Sequence, residues 1–572
     1  MRAFPTLSCM SLVCTLALSA CSSDDTAGVG GSGGGPGGAA GSGGTAGTPQ
    51  AGPISGPVTR YDYVIDSDAL TANTTLTVDV QAPGGDCVDF ESVVSPSGPV
   101  MWNGADAVSA TTDMGVMRVC GAPVFPGVLN VQVPTPIQKK KYFGLDVGFS
   151  KRTSMDGGQF SYMLSWVGGC DNFGPCDDDP SKLSEFRFEI KHAMGTPVLC
   201  PGVLTAGDTT TTCEVAGTLA PTYSAVAWAS DPTWKRSPFM NAAGVDWVFY
   251  EAPSGKLRTS LSVTAMTQFF EWLTGLFGDF PYGNELRFAG GPTAWLGFEH
   301  PANIILYESL AGLPTDYTDA LTHVTMHEVV HQWAGDRTTL ADAADFVWKE
   351  AMAEYVPYVF EDEVLGPEVA AATRAYWDGV ALQSGHYPRP TDKPTPPVNT
   401  FYGDVYGPGP MVLFVQLEGL IGRDSVMAGI QAFLKPAAGR SVAELQAALE
   451  EASGQDLKAY FDAWVFGSGA PEWPTMKVDT VQNGNEVTVT VTQQNASAKV
   501  YPCVVEVDVS GATQTVTASV NFGLAPSGAS ANTKVTLAEP IVGASLDPRN
   551  KLIAKSPVSP AVKPKPRPVW IF

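Results

Sequence analysis

The sequence predicts a multidomain α+β protein, with an N-terminal β-sheet domain, a mostly helical middle domain and a C-terminal β-sandwich. Three observations carry this reading. Apolar and polar residues alternate between Gly- and Pro-rich turns from about Tyr61 to Pro201. After roughly Thr205 the apolar period lengthens to that of a helix, and from Met476 the alternation returns.

Taken in order, residues 1–20 read as an export signal: Arg2, an apolar run through Leu12 to Leu18, then small residues. Leu18-Ser19-Ala20-Cys21 resembles a bacterial lipobox, which would make Cys21 the lipid-bearing first residue of the mature chain. The expectation is an extracytoplasmic protein of the cell envelope, lipid-anchored, with Ser22 favouring the outer membrane. Residues 21–58 are dominated by Gly, Ser, Ala and Thr and read as a flexible linker, too poor in apolar surface to fold.

The N-terminal β domain is placed at 59–204, on the segments TTLTVDV (Thr74–Val80), VLNVQV (Val128–Val133) and FRFEI (Phe186–Ile190). The acidic run Asp177–Asp179 lacks the oxygen spacing of a calcium loop and reads as a solvated turn. In an oxidising compartment the sequence-local pairs Cys87–Cys120, Cys170–Cys176 and Cys200–Cys213 form a disulfide framework, one of fifteen connectivities for six cysteines, with Cys503 left over.

The middle domain is placed at 205–473. Leu261, Met266, Phe269, Phe270, Leu273 and Phe277 form a helical core stripe within Thr259–Gly278. The segment AWLGFEHPANIILYE reads as a loop leading into a strand. Helices then carry Met326–Asp336 and Glu350, and another runs from about Met411 to Ile421. A further helix opens on Ser441 and Glu444 as a capping box. A C-terminal β-sandwich at 474–556 rests on EVTVTVT and CVVEVDV, and residues 557–572 form a Pro- and Lys-rich tail.

The 572 residues allow several cores, and no segment after the N-terminus approaches the twenty apolar residues of a membrane span. The formal charge of −24 argues against nucleic-acid partners, since a phosphate backbone needs a basic face.

The chemistry concentrates in MHEVVHQWAGD. His327 and His331 lie four residues apart, so on a helix both imidazoles leave one face, with Glu328 between them placed to act on a metal-bound water. Three of the six histidines (His323, His327, His331) fall within nine residues. Glu350 follows His331 after an eighteen-residue gap. Two histidines, a glutamate and one free position make the ligand set of a hydrolytic Zn²⁺ site, one ion per chain.

Together these segments resemble the M1 family of zinc metallopeptidases, the gluzincin aminopeptidases. GPCDDDPSKLSEFRFEI is similar to the family's PCFDEP-type segment, HEVVHQWAGDRTT to its HELAHQWFGN-type helix, and WKEAMAEY to its WLNEGFA-type helix. ASGQDLKAYFDAWVFGSGAP is similar to the segment that closes the catalytic domain. The resemblance spans most of the folded chain and implies a thermolysin-like catalytic domain. It places Tyr406, within YGDVYGPGPMVL, as the donor to the oxyanion, with Tyr402 as its rival. It places Glu299 on the α-ammonium of a peptide substrate with a free N-terminus. Glu350 is the implied third metal ligand, with Glu354 one turn on as the alternative; His323 is left to packing or to supporting the ligands. The family's GxMEN motif stands here as Leu296-Gly297-Phe298-Glu299-His300, and Pro408 replaces its usual lysine, departures that bear on specificity. The implied activity is that of a zinc aminopeptidase. The alternatives are an endopeptidase or other hydrolase on the same scaffold, or an inactive surface-tethered binding lipoprotein.

Overall fold

The computed structural model describes residues 54–81, 85–142, 145–293, 295–313, 320–382, 384–392 and 410–555. Cys21, Tyr402, Tyr406, Pro408, the export segment and the tail 557–572 lie outside the described residues.

The chain folds as a β-rich N-terminal region, a middle region that becomes helical, and C-terminal sheets. In the first region the strand Val58–Asp66 pairs parallel with Leu183–Lys191 and antiparallel with Thr71–Val80. These belong to an eight-stranded sheet. Its strands alternate buried and part-exposed positions, so one face meets the core and the other water. Tyr61 and Tyr63 sit opposite Phe186 and Phe188, with ring centroids 5.1 and 5.3 Å apart. Three disulfides are present, Cys87–Cys120, Cys170–Cys176 and Cys200–Cys213, and Cys503 is free and buried. The Asp177–Asp179 run forms successive side-chain-capped turns: the amides of Asp179 and Ser181 donate to the carboxylates of Asp177 and Asp179.

The sheet character persists well beyond residue 204. Thr210–Pro221 still pairs antiparallel with Leu183–Lys191, inside the N-terminal sheet. A further five-stranded sheet then follows, separate from the one that runs from Lys139 to Ser230. Its strands are β1 (Lys235–Ala242), β2 (Val245–Glu251), β3 (Glu285–Gly291), β4 (Gly297–His300) and β5 (Asn303–Tyr307), in the spatial order β1-β2-β3-β5-β4. The stretch read as a loop and one strand is thus a hairpin, β4 antiparallel to β5. The sequence signal was weak because β2, β3 and β5 pair in parallel and are buried on both faces. Such strands read as continuous apolar runs rather than as alternation.

Helix α1 (Val263–Phe277) packs its stripe of Met266, Phe269, Phe270, Leu273 and Phe277 into the core. It starts at Val263 because Ser262 caps it by accepting from the Ala265 amide. Helices α2 (Ala320–Val330) and α3 (Phe346–Phe360) are buried at every residue and pack on each other. Around them stand α4 (Pro367–Ala381) and α5 (Met411–Ile421). Ser441 and Glu444 close the expected capping box.

At the C-terminal end two three-stranded sheets turn Val487, Val489 and Val491, and Val505, Val507 and Val509, inward. Among the described residues no helix is long and apolar enough to cross a membrane.

Candidate functional site

The site forms where the edge strand β4 meets α2 and α3. His327 lies on α2, and His331 just beyond its last assigned residue. The His331 amide still reaches the His327 carbonyl at 3.4 Å, so helical spacing carries through and both rings share a face. The two Nε2 atoms are 3.0 Å apart. Glu350, from α3, brings Oε2 to 3.4 Å from His327 Nε2 and Oε1 to 3.7 Å from His331 Nε2.

The opposite ring edges are also engaged. His331 Nδ1 is 2.9 Å from the Ala334 carbonyl and donates to it. His327 Nδ1 makes an ionic contact with Glu354 Oε1 at 3.2 Å. The His331 bond directs its Nε2 lone pair toward the shared point, as a metal-binding histidine requires, while the Glu354 carboxylate stands at ion-pair distance behind His327.

This donor set fits a small divalent cation. Tetrahedral ligands at about 2.0–2.1 Å from an ion stand about 3.3–3.4 Å from one another, near the 3.0 Å between the two Nε2 atoms and the 3.4 Å from His327 Nε2 to Glu350 Oε2. The electrostatics agree. Burial disfavours a charge on His327, yet the Glu350 and Glu354 carboxylates outweigh it and push its pKa up to about 10. The same carboxylates favour a cation in the proton's place. Glu350 is held well below the ordinary carboxylate range despite burial, by Lys349 and His331. Glu354, within reach of both His327 and His323, faces away from the three converging atoms. His323 lies between the Glu354 and Glu361 carboxylates, at 2.5 and 2.6 Å, and supports α3.

Glu328 is buried beside this centre. Its pKa is raised well above the usual carboxyl value, first by burial and then by Glu299 and Glu350. Its carboxylate occupies space left by a missing side chain: a Cβ on Gly297 would stand 2.2 Å from Glu328 Oε1. A buried carboxylate with raised proton affinity, next to a cation site, is suited to take a proton.

Glu299 lies on β4, with an oxygen within 4.8 Å of ligand atoms of Glu328 and His331. The structure gives it a cation from the chain itself: Lys349 Nζ stands 2.6 Å from Glu299 Oε1. Sequence reasoning passed over Lys349. The single basic residue of FVWKEAMAEY, directly beside Glu350, was the available signal. It also passed over Asp336, which is buried, accepts from the Ser224 hydroxyl, and is held above the carboxylate range by burial and by Glu299. A second cluster, Cys170, Cys176 and Asp178, has its two sulfurs joined as a disulfide and so offers no thiolate.

Comparison with known proteins gives these features a context. Residues 300–464 match the peptidase family M1 domain. The chain is 23% identical over 252 residues to tricorn protease-interacting factor F2 of Thermoplasma volcanium, an alignment covering 41% of this chain and 31% of that protein. It is 26% identical over 250 residues to aminopeptidase 2 of Candida albicans, covering 40% and 26%. The crystal structure of Legionella pneumophila aminopeptidase A in complex with aspartic acid superposes with a TM-score of 0.70 at 13% identity, covering 90% of this chain and 61% of that one. At that identity the likeness is one of fold. The chain spans less than a third of the length of these two curated relatives.

Proposed function

The chain belongs to peptidase family M1 through residues 300–464, and from that premise we propose that it is a zinc-dependent aminopeptidase that removes N-terminal residues from peptides. The observation that carries the proposal is the convergence of His327 Nε2, His331 Nε2 and the Glu350 carboxylate, whose two oxygens lie 3.4 Å from His327 and 3.7 Å from His331, with Glu328 beside them.

In this reading His327, His331 and Glu350 hold the metal. When bound, zinc supplies a Lewis acid and acidifies water. Glu328 takes the proton of the attacking water on its carboxylate and returns it to the leaving amine. Gly297 leaves that carboxylate free to turn between the two partners. Glu354 and the Ala334 carbonyl fix the rings of His327 and His331. Tyr406 is assigned the hydrogen bond to the developing oxyanion. The buried walls of α2 and α3 exclude bulk water, which strengthens each of these interactions.

Localisation follows the same pattern of argument from the sequence. Cys21 is proposed to carry lipid at the cell envelope, and loss of fatty-acid labelling in Cys21→Ala would support it.

The test of the function is metal content paired with hydrolysis. The purified chain should hold one zinc and release fluorophore from aminoacyl substrates with a free amine, and not from N-acylated ones, in a chelator-sensitive way. Zinc without turnover of any substrate would end the peptidase reading and leave a binding protein.

A further inference from the structure

Helices α2 and α3 face each other through a continuous row of alternating imidazoles and carboxylates. His323, His327 and His331 are spaced four residues apart on α2 and its continuation, and Glu350 and Glu354 stand four apart on α3. Such spacing puts each set on one helix face. Glu361, in the turn that follows α3, completes the row. Going outward from His331, the successive separations are 3.7 Å to Glu350, 3.4 Å on to His327, 3.2 Å to Glu354, 2.5 Å to His323 and 2.6 Å to Glu361. All six side chains are buried.

The first three members are the proposed metal ligands, and the outer three are built as precisely. His323 has a carboxylate on each ring nitrogen. With both carboxylates ionised, only the doubly protonated ring serves both, since a neutral imidazole has a single N–H to give. Burial disfavours that charge, and the Glu361 and Glu354 carboxylates outweigh it, holding the His323 pKa well above its ordinary value. Helix α4 closes the row from another side: the Trp377 indole donates to Glu354 at 2.9 Å and the Thr373 hydroxyl to Glu361 at 3.1 Å. Trp377 and His323 both bond Oε2 of Glu354, which leaves Oε1 turned to His327 Nδ1. The charges also close. Three carboxylates, one imidazolium and one divalent cation sum to zero, so the loaded row is neutral out of bulk water, where unmatched charge is most costly.

We propose that His323 is a positioning residue for the metal centre: by pinning the far oxygen of Glu354 it holds the near one behind His327, and so sets how firmly that imidazole is presented to the metal. It touches neither metal nor substrate and acts through Glu354. Without it Glu354 keeps the Trp377 bond but loses the cation that fixes its far oxygen, and two buried carboxylates lose the charge between them. This rests on the zinc reading of His327, His331 and Glu350 and extends it to a third histidine, one turn farther along α2.

The experiment measures zinc affinity by chelator competition, and the visible absorption bands of the Co²⁺-substituted protein, for the wild-type chain, His323→Gln, Glu354→Gln and the double variant. The bands report the geometry around the ion, and the melting temperature of the metal-free chains serves as the control for packing. His323→Gln should weaken zinc by about 10-fold or more and shift the cobalt bands. In the Glu354→Gln background the same change should cost less than about twofold, because residues that act through one another are not additive. A folded His323→Gln with the wild type's affinity and bands overturns the proposal and leaves the zinc-peptidase reading intact. So does a fully additive loss in the double variant. Where His323→Gln does not fold, Glu361→Gln decides, since it keeps the shape and removes the charge that holds His323 Nδ1. Zinc weakened by roughly fivefold or more, one hydrogen bond's worth, supports the proposal, and unchanged affinity overturns it. A wild-type chain that binds no zinc removes the zinc reading and this inference with it.

Discussion

Glu354 Oε1 stands 3.2 Å from His327 Nδ1, on the side of the ring facing away from the Nε2 atom that meets His331 and Glu350. The carboxylate is itself anchored, receiving the Trp377 indole N–H at 2.9 Å. It is held to a pKa of about 2, His323 outweighing the effect of burial. Glu354→Gln should therefore leave the fold intact and weaken zinc binding about 10–100-fold, the usual effect of removing a carboxylate behind a ligand histidine. Chelator competition on the purified variant measures this, and an unchanged affinity would remove Glu354 from the metal's support.

Glu328→Gln keeps the shape of the side chain and removes its proton-accepting oxygen. The expected outcome is a fall in kcat of about 10²–10⁴-fold, with zinc content at one per chain. Near-normal turnover would take the general base away from Glu328.

Gly297→Ala puts a methyl group where Glu328 Oε1 now lies, at 2.2 Å. Since β4 is an edge strand paired through β5, its backbone tolerates alanine and the strain falls on the glutamate. Misplacing a catalytic group by an ångström costs about 10²-fold in rate. The variant should therefore melt near the wild type and lose about that much kcat. Full activity would mean that Glu328 can work from another rotamer.

Stability should depend on pH through Asp378, which lies on α4 with Oδ1 buried and unpartnered. Burial, reinforced by Asp547, pushes its pKa up to about 8 from an ordinary 3.8. A carboxyl raised on folding favours the folded state while protonated, so its contribution is complete below about pH 4 and is lost as pH rises through about 8. Asp378→Asn should accordingly leave Tm nearly unchanged at pH 4.5 and raise it by several degrees at pH 9. Equal effects at both pH values would exclude this titration.

The convergence of His327, His331 and Glu350 was legible because its information is local. His327 and His331 share one helical turn, and Glu350 follows at a fixed gap on the next helix. Outer positions were legible where chain chemistry is short-range, as in the Ser441–Glu444 cap and the three disulfides. What escaped depends on contacts made across the fold. Lys349 was a letter beside a ligand until β4 brought Glu299 to it. Asp336 gained its partner from Ser224, 112 residues away. The sheet between Lys235 and Tyr307 was missed for a different reason, since burial on both faces erases the alternation by which strands are recognised.

The Arg287 guanidinium, fully buried, donates to the carbonyls of Cys200 and Gly202 at 3.0 and 2.6 Å, and the Gly202 amide donates to Pro301 at 2.8 Å. Tyr223 donates to the Gly335 carbonyl and Thr339 to that of Pro180. The bonds of Arg287, Gly202 and Thr339 cross the place where the sequence suggested a border between domains, and they make it a seam. The segment that carries the family's likeness is therefore not portable. Grafted alone into another chain, residues 300–464 would lose the partners of Gly335, Asp336 and Thr339, and with them the footing of the turn that follows His331. Evolution could trim or extend this protein at its ends, but changes at the seam would have to come in matched pairs.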